Sequence, residues 1–333
     1  MLLITTPLIA IIKIKKMMKF IIFFFIIRGG VKKMSIKLKY LQWVDTHVDD
    51  LTNKKIIVTG CNSGIGFYVA GYLAYKNATV IMACRDLNKA KKAKNELLQQ
   101  FPHATIHLLQ LNLASNESIQ NFVSHIIKEY HQIDILIHNA GVYHLKKSWT
   151  KEQFETVMAT NYLGTYLLNE RILPYIKERI VFTTSIAHRW GKINYDDFFS
   201  IKKYRHIRVY ANSKLALSKY FTYLSLQCPL KIVAAHPGIC STNLLDPQRG
   251  GVSKAFARCG NAFLQLFMHS AQKGALSTLI AATDPSLQSG ELIGPRGIFH
   301  ISGYPKKQKL SKKAWMGQQE LMNYTKKLFD LKS

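Results

Sequence analysis

The sequence KIIVTGCNSGIG at residues 55–66 joins a β-branched apolar run to a glycine-rich turn. The run from Lys55 to Val58 is typical of a buried strand, and residues 67–75 after the turn favour a helix. A dinucleotide pyrophosphate needs this arrangement, because glycines let the backbone turn tightly and the helix N-terminus offers free N–H groups. The stretch therefore predicts a nucleotide-binding strand-turn-helix unit. An ordinary glycine-rich turn is the competing interpretation.

Strand-like and helix-like runs alternate along most of the chain. The strand-like runs are 56–59, 79–83, 105–111, 133–137, 179–184 and 231–235. The helix-like runs are 64–75, 87–100, 116–130, 151–172 and 209–227. This alternation predicts an α/β fold, namely a single Rossmann-type, doubly wound parallel β-sheet with helices on both faces.

Tyr210 and Lys214 stand four residues apart in a predicted helix, so the phenol and the ammonium share one helix face. A phenol titrates near pH 10, and a nearby ammonium lowers that pKa because it favours the phenolate. The spacing alone is a weak signal, since the chain has two further matches at 72/76 and 143/147. Only the pair at 210 lies downstream of a strand that ends in Thr183-Thr184-Ser185.

Together these motifs resemble the short-chain dehydrogenase/reductase family, whose turn is Thr-Gly-x-x-x-Gly-x-Gly. The resemblance covers roughly residues 51–299. Further family motifs follow in the family's order: Asn139-Ala140-Gly141, Asn161, Ser185, Tyr210, Lys214 and Pro237-Gly238. The family often pairs through the helices that hold Asn161 and Tyr210, so the resemblance also implies a homodimer.

The resemblance assigns catalytic roles to four side chains. Tyr210 would donate a proton to a carbonyl oxygen during reduction and remove it during oxidation. Lys214 would lower the phenol pKa and hydrogen-bond the nicotinamide ribose. Ser185 would hold the substrate oxygen, and Asn161 would fix a water that links Lys214 to solvent.

Three stretches are most similar to the retinol dehydrogenase-like branch of lipophilic carbonyl reductases. They are Ala83–Asp86, Ser185–His188 with Gly191–Ile193, and His236–Gly238 with Thr242–Leu244. This implies an NADP-dependent oxidoreductase that interconverts a lipophilic alcohol and its aldehyde or ketone by hydride transfer. The apolar residues and Gly250-Gly251 hinge of segment 239–271 predict a lid over the substrate. The alternative is a non-catalytic dinucleotide-binding regulatory or scaffold protein, although such proteins generally lose the tyrosine or the lysine.

NADP(H) is favoured over NAD(H) because Arg85 follows the second strand, where an NAD enzyme usually places an acid. The planar guanidinium suits a 2′-phosphate, and Lys89 could add charge one turn on. Asp86, the next residue, argues against this preference, because an acid near this place is typical of an NAD enzyme. The resemblance implies that the cofactor contacts Thr59, Gly60, Asn62, Ser63, Gly64, Ile65, Gly66, Arg85, Asn112, Leu113, Asn139, Ala140, Gly141, Tyr210, Lys214, Pro237, Gly238 and Thr242.

The chain departs from the family pattern at two places. Asn112-Leu113 stands where the family usually has Asp-Leu, whose carboxylate meets the adenine amino group. An amide oxygen still accepts that hydrogen bond, so we expect modestly weaker binding. His138 replaces the first Asn of the family's Asn-Asn-Ala-Gly, and the following Asn139-Ala140-Gly141 is intact.

The formal charge of +27 is concentrated toward the chain ends. Residues 1–39 carry nine Lys/Arg and no acid, and residues 303–333 carry eight Lys against two acids. No nucleic-acid-binding motif accompanies the charge, so we expect no specific nucleic-acid partner. Attraction to an anionic membrane surface and a generally lysine-rich proteome are the favoured interpretations. The five cysteines form no Cys-x-x-Cys pair, and neither a metal site nor a disulfide framework is expected.

The N-terminal residues 1–33 combine two apolar runs, 1–12 and 20–27, with clustered lysines. Neither run reaches the roughly 20 apolar residues of a membrane-spanning helix. Three interpretations remain: an interfacial anchor with snorkelling lysines, a degenerate signal-anchor, or a misassigned start upstream of Met34. We therefore divide the chain into this segment, an NADP-binding catalytic domain over 34–302, and a basic tail over 303–333. The catalytic domain is expected to be cytoplasmic, with membrane association through residues 1–33.

Overall fold

The structure, a computed structural model, describes residues 35–143, 146–238, 240–241, 269–297 and 300–330. Its strands are β1 (Lys55–Thr59), β2 (Thr79–Cys84), β3 (Ile106–Gln110), β4 (Ile133–His138), β5 (Ile176–Thr183), β6 (Lys231–Ala235), β7 (Cys240–Ser241), β8 (His269–Ser270), β9 (Leu292–Pro295) and β10 (Pro305–Gln308). Its α-helices are α1 (Leu38–His47), α2 (Gly64–Tyr75), α3 (Leu87–Gln100), α4 (Asn116–Tyr130), α5 (Thr156–Met158), α6 (Gly164–Ile172), α7 (His206–Gln227), α8 (Ala271–Thr283) and α9 (Gln318–Asp330). A π-helix, Ala159–Leu163, joins α5 to α6.

Eight strands form one sheet in the order β10-β9-β6-β5-β4-β1-β2-β3. Every neighbouring pair is parallel except β10 with β9, which is antiparallel. The six predicted strands correspond to β1–β6, and the predicted helices to α2, α3, α4, the α5-to-α6 segment and α7. Since parallel strands end at the same edge, the turns after β1, β4 and β5 lie together there.

The sheet separates two apolar cores, and the alternation of side chains along β1 shows how. Val58 packs on one face with residues of α2 and α8, such as Leu73 and Leu276. Ile57 packs on the other face with residues of α4, such as Phe122. Successive side chains of a strand point to opposite faces, so both are fully buried. The predicted α/β architecture, with helices on both faces of one sheet, is confirmed.

Both terminal helices of the described chain pack against helices that cover the sheet. Helix α1 buries Tyr40 and Val44, and α9 buries Leu321, Met322 and Thr325. Strand β10 extends the sheet at its edge. Residues 303–333, set apart by their charge as a tail, thus contribute a strand and a helix to the packed domain. Their lysines hid this role, because a charge count does not show which face of a helix is apolar.

Some sequence-based predictions lie outside the described residues. These are the N-terminal segment 1–33, most of the 239–271 lid, and Thr242. Across the parts of the chain that the structure describes, no helix is long and apolar enough to cross a membrane.

Candidate active site

Thr59 and Asn139 fasten the turn after β1 to the turn after β4. The Thr59 hydroxyl accepts hydrogen bonds from the backbone N–H groups of Asn139 and Ala140, each at 3.0 Å. In return the Asn139 side-chain amide donates to the carbonyl oxygens of Thr59, at 2.9 Å, and Gly60, at 3.2 Å. Two predicted cofactor-binding motifs are therefore held together by their own side chains.

The glycines of the first turn create space that a side chain would fill. Gly60 and Gly64 have φ angles of +65° and +58°, which favour glycine. A Cβ on Gly66 would lie 2.4 Å from the Asn139 side-chain nitrogen and 2.7 Å from the Gly60 carbonyl oxygen. Helix α2 begins at Gly64, and Ser63 before it makes no side-chain cap. The first N–H groups of α2 are therefore available to an anion, as a dinucleotide pyrophosphate requires.

At the end of β2, Asp86 is engaged by its own helix. Its carboxylate accepts a hydrogen bond from the backbone N–H of Lys89 at 3.0 Å and lies 3.3 Å from the Lys89 ammonium. That backbone hydrogen bond, with the other contacts to Lys89, lowers the pKa of Asp86. Asp86, the acid that argued for NAD, is thus the N-cap of α3, whereas Arg85 beside it is exposed.

Asn112 occupies the loop after β3. Its side-chain oxygen accepts a hydrogen bond from the Ala114 backbone N–H at 3.1 Å, and its own N–H donates to the Ser118 hydroxyl at 2.9 Å. An amide oxygen has two lone pairs, so one remains for an adenine amino group. A Cβ on Gly164 would lie 1.8 Å from the carbonyl oxygen of the adjoining Leu113. The glycine therefore lets this loop pack directly against the start of α6.

Tyr210 and Lys214 lie on α7, one turn apart, facing the end of β5. The Lys214 ammonium donates to the Thr183 carbonyl oxygen at 3.0 Å, and burial lowers its pKa to about 8. Burial raises the pKa of Tyr210, and a hydrogen bond with Ser185 opposes that rise. The lowering of the phenol pKa that we expected from Lys214 is therefore not observed; its nitrogen lies 6.0 Å from the Tyr210 ring centroid.

Ser185 combines a structural and a polar role. Its hydroxyl oxygen accepts the Ala187 backbone N–H at 3.2 Å, which caps the short helix that follows β5. Capping uses only an acceptor lone pair, so the hydroxyl proton is left for the hydrogen bond with Tyr210. His188 supports the turn by donating from Nδ1 to the Ser185 carbonyl oxygen at 2.7 Å.

Asn161 is fully buried in the π-helix, an irregularity that is frequent at functional sites. Its oxygen accepts the Val142 N–H at 2.7 Å, and its nitrogen donates to the Val142 carbonyl at 2.9 Å and to the Ser213 hydroxyl at 3.0 Å. A Cβ on Gly141 would lie 3.3 Å from the Lys214 nitrogen and 3.4 Å from the Asn161 oxygen. Asn161 thus joins the loop after β4 to α7 beside Lys214.

Tyr143 is a site residue that the sequence analysis missed. Its ring centroid lies 5.4 Å from that of Tyr210 and 5.7 Å from that of His206, both edge-on. The side chain is 8% exposed, and within the described residues its hydroxyl has no hydrogen-bond partner. Its position two residues after Gly141 was the available signal. The match with Lys147 is accidental, because that ammonium bonds to the Ile201 carbonyl.

Pro237 and Gly238 follow β6 and are positioned through His236. The Gly238 N–H donates to His236 Nδ1 at 3.2 Å, and His236 Nε2 donates to the Gln308 side-chain oxygen at 2.8 Å. Burial lowers the pKa of His236 to about 4, in keeping with this neutral tautomer. Gly238 has φ +75°. Strand β10 therefore contributes to the site from the segment thought to be a tail.

His138, the departure before Asn139, belongs to the core beneath the site. Its Nε2 donates to the Asn169 side-chain oxygen at 3.2 Å, and its ring stacks on Phe182 at 4.9 Å. Burial lowers its pKa to about 4.

Nowhere in the described ranges do three His, Cys, Asp or Glu side chains converge as metal ligands would.

The comparisons with known proteins agree with this geometry. The short chain dehydrogenase family model matches residues 54–251. The chain is 31% identical to human retinol dehydrogenase 12 over 281 residues, which are 82% of this chain and 87% of that protein. It is 35% identical to human retinol dehydrogenase 13 over 202 residues, 58% of this chain and only 61% of that relative's length. The crystal structure of an uncharacterized protein from Mycobacterium Paratuberculosis superposes with a TM-score of 0.69 at 27% identity, over 85% of this chain and 96% of that one.

Proposed function

Since the chain belongs to the short-chain dehydrogenase family and resembles its retinol dehydrogenase branch, we propose that it is an NADP-dependent oxidoreductase. Its reaction would interconvert a lipophilic alcohol and the corresponding aldehyde or ketone. The observation that carries the proposal is the convergence of Tyr210, Ser185 and Lys214 at the carboxyl end of β5. There a phenol, a hydroxyl and a buried ammonium lie together, and Gly141 of the turn after β4 lies beside the ammonium.

The protonation states suit the reduction direction. Burial raises the pKa of Tyr210, so the phenol keeps its proton at neutral pH and can donate it to a carbonyl oxygen that gains charge. Ser185, hydrogen-bonded to Tyr210, would orient the same oxygen with its own proton. A bound nicotinamide cofactor supplies or accepts the hydride. In the reverse direction Tyr210 would take the alcohol proton.

Lys214 would serve both the cofactor and the proton supply. Its buried ammonium has a pKa of about 8, so it is mostly protonated at neutral pH while close to its titration point. Held by the Thr183 carbonyl, it retains two N–H donors for a ribose hydroxyl or a water. Asn161 fixes the loop at Gly141 beside this ammonium, and we propose that it also orders the water that replenishes the proton.

The choice of NADP(H) over NAD(H) is supported by the division of labour after β2. Asp86 is committed to capping α3 and pairs with Lys89, so it is poorly placed to accept two ribose hydroxyls. Arg85 is exposed at the strand end, where its planar guanidinium can bind a 2′-phosphate in a bidentate manner.

A lipophilic substrate is supported by the identity with the retinol dehydrogenases and by the Tyr143 ring beside Tyr210. We further propose that residues 239–271 cover this substrate and that residues 1–33 bring the domain to a membrane surface. We propose no specific nucleic-acid partner, because the basic residues are not accompanied by a nucleic-acid recognition motif.

The test is a direct assay that separates catalysis from dinucleotide binding alone. Purified protein would be mixed with NADPH, then with NADH, and with aldehydes of increasing chain length, while the absorbance of the reduced nicotinamide is followed. Loss of absorbance that is faster with NADPH and with longer apolar aldehydes supports the proposal. The regulatory or scaffold alternative would be favoured if the protein bound NADPH tightly, reduced none of the aldehydes and, with NADP⁺, oxidised none of the corresponding alcohols.

A further inference from the structure

Two cysteines meet beneath the predicted dinucleotide site. The sulfur atoms of Cys61 and Cys84 lie 3.6 Å apart, and the two residues are 0% and 1% exposed. Both are free thiols, as are Cys228 and Cys240 in the described part of the chain. Their separation of 23 residues hides the pair from any search for closely spaced cysteines.

The backbone around the pair is built so that the two thiols face each other. Cys84 is the last residue of β2, and Cys61 lies in the turn directly after β1. The parallel register pairs Thr59 with Ala83, and the Gly60 N–H extends it by donating to the Ala83 carbonyl at 2.8 Å. Neighbouring strands lie about 4.8 Å apart, within the range over which a disulfide can join two backbones.

We propose that Cys61 and Cys84 form a dithiol modification site that hydrogen peroxide converts to a disulfide, and that this disulfide weakens dinucleotide binding. The modification site stands on the thiol geometry alone. Its effect on binding rests on the proposed function.

The chemistry needs one equivalent of peroxide. The contact with the Cys61 sulfur lowers the pKa of the Cys84 thiol, whereas burial raises the pKa of Cys61, whose own thiol donates to the Val58 carbonyl oxygen at 3.0 Å. The Cys84 thiolate therefore attacks peroxide, breaks its O–O bond and becomes a sulfenic acid; the hydroxide released takes up a proton and leaves as water. The Cys61 sulfur then attacks the Cys84 sulfur, and the sulfenic hydroxyl leaves with the Cys61 proton as a second water. Two thiols are oxidised, and one peroxide is reduced to two waters.

A disulfide would require the two sulfurs to approach by about 1.5 Å, because the S–S bond is near 2.05 Å. The turn has little room to move. A Cβ on Gly66 would lie 2.8 Å from the Cys61 Cα, and one on Gly60 would lie 2.7 Å from the Ala140 Cα. We infer that any displacement that rotation of the two side chains does not supply falls on the end of β2, which leads directly into Arg85. Moving Arg85 changes the position of the group proposed to bind the 2′-phosphate.

The experiment uses the full-length, cofactor-free protein treated with hydrogen peroxide. Intact mass should fall by about 2 Da, the two hydrogens lost per disulfide, and peptide mapping under non-reducing conditions should find Cys61 joined to Cys84. The Kd for NADPH should rise about fivefold or more and return to its starting value after dithiothreitol. Prior saturation with NADPH should slow the reaction, because the cofactor would cover the turn.

Matched variants separate this site from other thiols. Cys228→Ser should behave as the parent does, whereas Cys61→Ala and Cys84→Ala should each keep their Kd for NADPH through peroxide treatment. Failure to find the Cys61–Cys84 peptide, while another cysteine is oxidised, would overturn the modification site. A mapped disulfide with an unchanged Kd would overturn the effect on binding. Absence of NADPH binding in the reduced protein would count against the proposed function, while the peptide map would still decide the site.

Discussion

The hydroxyl of Tyr162 lies 2.6 Å from the hydroxyl of Thr325, and both residues are fully buried. This hydrogen bond ties α9 to the π-helix that carries Asn161. Nearby, the ring of Phe329 stacks on that of Tyr166 at 5.8 Å. Helix α9 thus packs against the helices through which the resemblance implied pairing of two copies, and that pairing stays a prediction.

Thr325→Val should destabilise the fold by about 1–3 kcal/mol, because the isosteric change leaves the buried Tyr162 hydroxyl without its partner. Turnover should change little, since α9 lies behind the helices rather than in the site. Urea denaturation followed by circular dichroism would measure the loss. Lys326→Ala, at an exposed neighbouring position, is the control and should stay within about 0.5 kcal/mol of the parent. Equal stability of the two variants would show that the Tyr162–Thr325 contact contributes nothing.

Tyr210→Phe should abolish turnover and leave the Kd for NADPH within a few-fold of the parent value. The ring is kept and only the transferable proton is lost, so the defect should appear in kcat. Tyr72→Phe is a matched control, because Tyr72 and Lys76 share the same spacing while the Tyr72 hydroxyl bonds to the Gln272 carbonyl in the core. Steady-state kinetics would compare the two. More than about a tenth of parental activity in Tyr210→Phe would remove Tyr210 from its assigned role.

Arg85→Ala should raise the Kd for NADPH roughly tenfold or more and scarcely change that for NADH. The guanidinium is proposed to contact only the 2′-phosphate, and a charge-assisted hydrogen bond contributes about 1.5–3 kcal/mol. Fluorescence titration with both cofactors would measure this, with Lys92→Ala on the exposed side of α3 as the control. Equal losses for NADPH and NADH would show that Arg85 is not the selector.

Acid should weaken the fold through its buried histidines. Burial lowers the pKa of His138, His188 and His236 to about 4 each, against about 6.5 in an unfolded chain. Between these values the unfolded chain binds more protons than the folded one. The free energy of unfolding is therefore highest above pH 6.5 and falls as the pH drops toward 4.

His138→Asn tests this dependence at one position. It should reduce the pH slope of the unfolding free energy by up to about 1.4 kcal/mol per pH unit, the contribution of one proton. Urea midpoints between pH 7 and pH 5 would measure the slope, and the exposed His103→Asn should leave it unchanged. A slope in His138→Asn identical to the parent's would mean that His138 titrates alike in both states.

The strands and helices around the sheet could be predicted because their periodicity is local. The side chains of strand β1 point alternately into the two cores, and the glycines after it indicate a turn. Other features depend on distant contacts. The apolar face of α9 is interspersed with lysines, and the Cys61–Cys84 contact joins the turn after β1 to the end of β2. The resemblance supplied the four catalytic positions, but the raised pKa of Tyr210 follows from burial, which the i, i+4 spacing does not show.

The last prediction concerns the start of the folded domain. A protein that begins at Met34 should fold and bind NADPH as the full chain does, because it retains α1 and the Ile36 N–H that donates to the Gln100 side chain at 2.7 Å. One that begins at Leu51 should be markedly less stable. It loses the buried side chains of Tyr40 and Val44, and each such side chain contributes about 1.5–3 kcal/mol.

Flotation with anionic liposomes, at low and high salt, would compare the full chain with the version that begins at Met34. Residues 1–33 combine apolar runs with clustered lysines, so their removal should abolish flotation. Thermal melts of both shortened proteins provide the folding control, since an unfolded chain would float for the wrong reason. Flotation of the folded Met34 version would place the membrane contact elsewhere, in the lid or the lysine-rich C-terminal segment. If the full chain also failed to float, residues 1–33 would not be a membrane element.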